Sequence, residues 1–206
     1  MERAEFIGRV RDRLVAVPRI EPEVPVGWGV SIADRGERFQ QELTAIGGVV
    51  HRVPGAEAAS VLERWSGATF LTTSERDLPP GIEGVIAGVG GELLRWPDPT
   101  TDEVAATVDV GLTSALWGVA ETGSVLLSSA PPAGRVPSLV VPVHVVFLPE
   151  ERLLGTVEEV FATIGTFDDL PSNLVLITGP SKSADIGMEL AVGVHGPGEV
   201  HVVLTS

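Results

Sequence analysis

Short apolar runs alternate with helix-like segments along most of this chain. The runs 49–53, 174–177 and 200–204 have the length of buried strands rather than of helices. Residues 34–46 and 56–65 carry apolar side chains at the spacing of amphipathic helices. Strands that alternate with helices predict a parallel sheet, so we expect an α/β protein.

The same patterns predict the remaining elements. Residues 2–16 predict an amphipathic helix, followed by a Pro- and Gly-rich arm to residue 30. We therefore divide the chain into an N-terminal extension, 1–30, and an α/β domain, 31–206. Asp34 and Thr156 stand where they would cap helices over 34–46 and 155–164. Further strands are predicted over 68–72, 84–89, 105–115, 125–128 and 139–148, and Pro142 places the last of these at a sheet edge or bulge.

The stretch from Asn173 to Ser206 carries the candidate site that organises the rest. Its pattern predicts a strand, a Gly-Pro turn, a helix with Ile186 and Leu190 on one face, and a final strand parallel to the first. In open α/β sheets, ligands bind outside the carboxyl ends of the strands. The turn after strand 174–177 is therefore expected to face such a crevice.

Four residues of that turn, namely Gly179, Ser181, Lys182 and Ser183, would lie just before the predicted helix. Unpaired amides, small side chains and one full positive charge at a helix start suit a phosphate or carboxylate. The simpler alternative is that Ser181 or Ser183 only caps the helix, with Asp185 complementing the helix dipole in the first turn. Residue types alone favour the simpler alternative.

Composition and charge narrow the function classes. The 206 residues have a net charge of −14, which disfavours nucleic acid and anionic membranes as partners and makes Lys182 conspicuous. No apolar run approaches the roughly 20 residues of a membrane span, and the charged N-terminus is unlike a signal peptide. We therefore expect a cytoplasmic protein.

Cofactor and metal motifs do not occur in the sequence. There is no cysteine, which excludes thiolate ligation of an Fe–S cluster and cysteine nucleophiles. The phosphate-loop, dinucleotide-binding, nucleophile-elbow and HExxH patterns do not occur either. We therefore expect no cofactor and no metal site.

Three phrases, AETGS (120–124), GPSKSADIGMEL (179–190) and GVHGPGEVHVVL (193–204), resemble the lactate utilization protein C (LutC, LUD domain) family in wording, order and spacing. The resemblance extends from about residue 105 to the end of the chain. It implies a fold like that of the NagB/RpiA/CoA-transferase group, with a three-layer, mostly parallel sheet and helices on both faces. It also implies a role in a system that oxidises L-lactate to pyruvate.

Several side chains in these phrases are candidates for chemistry. Glu121 is a candidate nucleophile or base if burial raises its pKa, and otherwise an acceptor of backbone N–H bonds. Thr122 and the nearby Ser124 add hydroxyls, which matter only if they face the same cleft as Lys182. His195 is a candidate general acid or ligand donor, although a histidine in a turn is more often simply hydrogen-bonded there.

Three functions stay open at this point. The favoured one is a non-redox component that binds a small anionic metabolite beside Fe–S and oxidoreductase subunits of a lactate-oxidising complex. The second is a stand-alone CoA-transferase-like or sugar-phosphate-isomerase-like enzyme that uses Glu121. The third is a ligand-binding regulatory module. A homo-oligomer formed through the N-terminal arm is a further expectation.

Overall fold

The computed structural model describes residues 3–14, 31–73, 78–97, 99–128, 134–167, 170–171, 173–184, 190–192 and 196–206. The α-helices are α1 (Arg3–Leu14), α2 (Arg35–Ala45), α3 (Ile82–Gly88), α4 (Thr101–Thr107), α5 (Val136–Leu139) and α6 (Val157–Ile164). Gly55–Trp65 and Glu150–Arg152 are 3₁₀ helices. The strands are β1 (Val49–Val53), β2 (Thr69–Thr72), β3 (Glu92–Arg95), β4 (Val110–Ser114), β5 (Trp117–Val119), β6 (Ser124–Ser128), β7 (Val143–Pro149), β8 (Leu153–Leu154), β9 (Leu174–Ile177), β10 (Lys182–Ala184), β11 (Leu190–Val192) and β12 (Glu199–Thr205).

Six of the strands form one parallel sheet in the order β1-β12-β7-β4-β2-β3. Alternate side chains of β7 enter different cores, as the two-residue period of a strand requires. Val145 and Phe147 pack with the long 3₁₀ helix and α3, whereas Val146 and Leu148 pack with α2. Helices therefore cover both faces of a parallel sheet, which confirms the predicted three-layer α/β architecture.

Two smaller sheets complete the fold. A four-stranded sheet has the order β8-β5-β6-β9, and β10 pairs with β11 in an antiparallel hairpin. Strand β6 runs antiparallel to both of its neighbours. Val125 and Leu127 of β6 share a core with α2 and with β7. The four-stranded sheet thus packs on the α2 side of the parallel sheet.

Several predicted elements are confirmed where local chemistry is strong. Helix α2 begins after Asp34, whose Oδ1 accepts a hydrogen bond from Glu37 N at 2.8 Å. Helix α6 begins after Thr156, whose hydroxyl accepts from Glu159 N at 3.2 Å. Both caps satisfy amides that a helix start leaves without partners. Predicted strands β1 and β9 have the predicted bounds.

Other predictions in the first half are wrong. The segment 84–89 lies mostly in α3 and not in a strand, and the neighbouring strand of the sheet is β3. The first part of 105–115 belongs to α4, which begins at a capping box formed by Thr100 and Glu103. A short apolar run is compatible with either a helix or a strand, so its periodicity alone does not identify the element. The packing of the run against the rest of the fold decides which one forms.

The interpretation of Pro142 as a mark of a sheet edge is also wrong. Strand β7 lies in the interior of the parallel sheet, between β12 and β4. Pro142 precedes the strand, so its missing N–H removes no bond from the ladder. Its carbonyl instead accepts from Gly198 N at 2.9 Å.

The prediction of a helix after the Gly-Pro turn is wrong, because strands lie at both ends of that segment. Residues 182–184 and 190–192 are the paired strands β10 and β11, with Ser183 opposite Ala191. Ile186 lies outside the described residues. Two apolar residues four apart cannot distinguish a helical turn from a hairpin, which is why the pattern was misleading. Strands β9 and β12 also belong to different sheets and are not parallel neighbours.

Candidate functional site

The parallel sheet has two edges that matter for function. We call the edge at which its strands begin, near Val49, Val143 and Glu199, the amino edge. The opposite edge, at which the strands end, is the carboxyl edge. The segment 179–182 was expected in the carboxyl-edge crevice, but it lies at the amino edge. The reason is that β9, which precedes it, belongs to the four-stranded sheet.

Backbone contacts hold the 179–182 segment at the amino edge. Ser181 N donates to the carbonyl of Pro197 at 2.8 Å, and Gly198 N donates to the carbonyl of Pro142 at 2.9 Å. Gly179 has φ of 75°, and a Cβ there would lie 2.8 Å from Cδ1 of Ile46. Glycine is therefore required at 179 both by its backbone conformation and by the close approach of Ile46.

Lys182 lies at the C-terminal end of helix α2. Its exposed ammonium donates a hydrogen bond to the carbonyl of Ile46, the residue that caps the helix. A cation at this position complements the negative end of the helix dipole. An ammonium has three N–H donors, so this contact leaves donors for a ligand.

A row of three hydroxyls joins two of the sequence phrases. Thr122 Oγ1 lies 2.7 Å from Ser124 Oγ, which in turn lies 2.7 Å from Thr178 Oγ1. Ser124 is buried within this row. Since Thr178 immediately precedes Gly179, the row brings the AETGS turn to the start of the 179–182 segment.

Glu121 provides a hydrogen-bond acceptor for a backbone amide at the start of helix α6. Its Oε2 accepts a hydrogen bond from Val157 N at 3.1 Å, and its own N–H donates to the carbonyl of Gly155 at 2.9 Å. The half-buried carboxylate is therefore an acceptor of a backbone N–H, as in the simpler of the two alternatives raised by the sequence. A carboxylate here also complements the positive end of the helix dipole.

Three of the predicted site residues cannot be placed in full. Asp185 and His195 lie outside the described residues. Ser183 is described only by its backbone pairing with Ala191. Of the predicted set, the structure brings Thr122, Gly179, Ser181 and Lys182 to the same side of the fold.

Sequence reasoning did not pair two histidines that the structure brings together. His51 Nε2 lies 3.0 Å from His201 Nδ1, and His201 Nε2 lies 3.1 Å from the carboxylate of Glu199. Burial, then the neighbouring His201 and then Arg64, lower the pKa of His51 to about 4. The sequence could have indicated this pair. His51 and His201 lie on neighbouring parallel strands, and the two-residue period of a strand places both side chains on the same face of the sheet.

His144 is a separate, fully buried histidine on β7. Its Nε2 lies 2.8 Å from the hydroxyl of Thr113, and its Nδ1 has no hydrogen-bond partner among the described residues. Burial lowers the pKa of His144 to about 3, so the ring is neutral near pH 7.

The described residues include no group of three His, Asp or Glu side chains that could hold a metal ion.

A crevice of about 410 Å³ opens at the carboxyl edge. Its wall includes Ser114 at the end of β4, Thr205 at the end of β12, and Arg152 just after β7. No sequence phrase pointed to it, because its polar residues are far apart in the chain and belong to no motif. Their shared position directly at or after a strand end is the signal that could have revealed it.

The fold is a three-layer α/β fold, and the hydroxyl row joins the AETGS and GPSKS phrases. This is the class of fold that the three sequence phrases implied. The LUD domain family model matches residues 36–205, so the chain belongs to the LUD domain family.

Individual proteins of known sequence or structure are also similar to this chain. The chain is 30% identical to lactate utilization protein C of Exiguobacterium sp., over 98% of this chain and 95% of the relative. It is 38% identical to the protein of the same name from Halalkalibacterium halodurans, over 67% of this chain and 63% of the relative. A crystal structure of a DUF162 family protein from Deinococcus radiodurans matches with a TM-score of 0.66 at 21% identity, covering 86% of this chain and 99% of the other. No helix among the described residues is long and apolar enough to cross a membrane.

Proposed function

We propose that this protein takes part in the oxidation of L-lactate to pyruvate, as a component that binds a small carboxylate or phosphate. The observation that carries the proposal is its similarity, over 98% of its length, to a relative named for lactate utilization. The 206 residues contain no cysteine, so electron transfer through thiolate-bound Fe–S clusters falls to partner proteins. Fe–S and oxidoreductase subunits are therefore the partners we expect.

The ligand site in this proposal is formed by Thr122, Gly179, Ser181, Lys182 and Ser183, with Glu121, Asp185 and His195 beside them. Two contacts support it: the hydroxyl row that ends at Thr178, and the bond from Ser181 to Pro197. The second contact joins Ser181 to Pro197, and His195 lies two residues before Pro197 in the sequence. The ammonium of Lys182 supplies the positive charge.

The role in lactate metabolism is tested by growth. In the organism that encodes this chain, deletion of the gene should abolish growth on L-lactate and leave growth on pyruvate unchanged. A plasmid copy should restore growth, and a tagged copy should co-purify with Fe–S or flavin proteins only if it belongs to a complex. Normal growth of the deletion strain on L-lactate as sole carbon source would contradict the proposal.

The ligand site is tested at Lys182, which is the only lysine in the sequence. Reductive ¹³C-methylation therefore gives one side-chain NMR signal besides that of the N-terminal amine. Titration with L-lactate, pyruvate or inorganic phosphate should shift that signal. Calorimetry of Lys182→Ala should show binding weakened at least about tenfold, the usual effect of losing a charged hydrogen bond. Lys182→Arg is the charge-preserving control, and unchanged affinity in Lys182→Ala would remove Lys182 from the site.

The enzymatic alternative has its own readout. A CoA-transferase-like reaction would exchange acyl groups between acetyl-CoA and a free acid, and Glu121→Gln would abolish the exchange. Turnover of a sugar phosphate that is lost in the same variant would favour the isomerase-like reading. If neither reaction is detected while L-lactate binds, the non-catalytic component remains the better account.

A further inference from the structure

The carboxyl-edge crevice lies where the fold itself predicts a ligand. The chain proceeds from β2 outward to β3, and from β4 in the opposite direction to β7. The direction of winding therefore reverses between β2 and β4, and open α/β sheets bind ligands outside the carboxyl ends of the strands at such a point. The crevice is lined by Ser114 at the end of β4 and by Leu78 and Pro80 from the segment that follows β2.

Arg152 gives the crevice its charge. The guanidinium donates one hydrogen bond to the carbonyl of Ala115 at 3.3 Å, and the described residues offer it no carboxylate partner. Arg35, Arg38, Arg52 and Arg95, by contrast, are all paired with glutamates. In a chain with a net charge of −14, the guanidinium of Arg152 thus has a neutral carbonyl as its hydrogen-bond partner. Its remaining N–H groups match the fork of a carboxylate.

Most of the remaining wall is apolar. Leu78, Pro80 and Phe147 line the crevice, and Phe147 is continuous with the main core. A volume of about 410 Å³ would hold on the order of a dozen water molecules. That space is larger than a three-carbon acid fills, and it is typical of pockets for organic ligands with a hydrophobic body.

We propose that this crevice is a second binding site, which takes an organic acid larger than lactate with its carboxylate on Arg152 and its hydrocarbon part against Leu78, Pro80 and Phe147. The proposal rests on different residues from those of the amino-edge site and does not depend on it. The hydroxyl of Thr205 adds a hydrogen-bonding group at the strand ends.

The test uses calorimetry of the full chain with acetate, butyrate, hexanoate and 2-naphthoate, and with hexanamide as the uncharged match for hexanoate. We expect a site whose affinity rises about threefold to fourfold per methylene from butyrate to hexanoate, as buried CH₂ groups require. Hexanamide should bind at least about tenfold more weakly, because it lacks the charge that Arg152 recognises. A stronger response to 2-naphthoate than to hexanoate would assign the site to aromatic rather than aliphatic acids.

Three variants locate the binding. Arg152→Gln should lose at least about tenfold in affinity for hexanoate, whereas Arg38→Gln, on the exposed side of α2, should bind it normally. Ala56→Trp fills the crevice from an exposed position and should abolish binding without disturbing the core. Lys182→Ala should leave hexanoate binding intact, which separates this site from the amino-edge site. Binding of hexanoate that is absent, no tighter than that of acetate, or indifferent to both Arg152→Gln and Ala56→Trp would overturn the proposal.

Discussion

The two edges of the parallel sheet differ in how their polar groups are used. At the amino edge, the hydroxyl of Ser124 bonds to those of Thr122 and Thr178, and the Lys182 ammonium bonds to the carbonyl of Ile46 at the end of α2. At the carboxyl edge, Arg152 bonds to one carbonyl beside an open volume of about 410 Å³. The amino edge carries the family phrases, and the carboxyl edge carries the open space.

This difference shows that a distinctive sequence phrase and an open cavity report different things. Glycines and hydroxyls in a phrase can be required because chain segments approach one another closely. A cavity forms where strand ends and loops diverge, and its residues need no shared motif. If the amino-edge phrases are mainly structural, substitutions in them should lower the stability of the fold.

The largest expected effect is at Gly123, in the turn of AETGS. Its φ is 65°, and a Cβ would lie 2.3 Å from the backbone nitrogen of Leu43. Gly123→Ala must therefore push the turn away from α2, and should lower the free energy of unfolding by about 3 kcal/mol or more. Urea denaturation measures this change.

Gly67 provides the matched control for that substitution. It also has a positive φ, 74°, but a Cβ there would meet nothing within 4 Å. Gly67→Ala should cost only the backbone strain, about 1–2 kcal/mol. Equal losses in the two variants would mean that the contact between AETGS and α2 contributes nothing.

The next effect is a loss of stability in acid. The pKa of His144 is lowered by burial to about 3 in the folded protein, against 6.5 for an ordinary histidine. Between these values the unfolded chain binds more protons, so the free energy of unfolding falls as pH falls. From pH 6.5 to 4.5 the loss from His144 should be about 2–3 kcal/mol.

Two variants assign that acid sensitivity. His144→Gln should flatten the pH dependence of the urea midpoint down to about pH 3. His51→Gln should flatten it only down to about pH 4, because the partly buried His51 then protonates in the folded protein as well. An unchanged slope in His144→Gln would show that other groups control acid stability.

The smallest effect is at Glu121. If its carboxylate is mainly a partner of the α6 start, Glu121→Ala should lower the free energy of unfolding by about 1 kcal/mol and speed exchange of the Val157 amide. Glu121→Gln keeps an acceptor oxygen and should cost about half as much. Stability and amide exchange that do not change in either variant would indicate that Glu121 is retained for chemistry instead.

Much of the fold was predictable because its signals are local. Asp34 and Thr156 cap helices by bonding to amides three residues ahead, so their effect is visible in sequence. Strands β1 and β9 are short apolar runs bounded by glycine or proline turns. The parallel sheet followed from the alternation of such runs with helices.

What could not be predicted depends on contacts distant in the chain. Whether 84–89 is helix or strand is settled by packing of Ile82 and Ile86 against the 3₁₀ helix, which sequence period does not show. The place of the 179–182 segment depends on β9 joining β6 rather than β12, a choice of sheet that an apolar run cannot encode. The crevice was missed for the same reason.

Only Ala115 and Leu116 separate β4, in the parallel sheet, from β5, in the four-stranded sheet. Ala115 N bonds to Phe147 O and Leu116 N bonds to Leu126 O, so this crossing is tied to both sheets at once. The passage leaves no linker at which the molecule could be cut. The two edges are opposite ends of the same strands, so no fragment could carry only one of them. Point substitutions are therefore the proper tool for separating the two proposed sites.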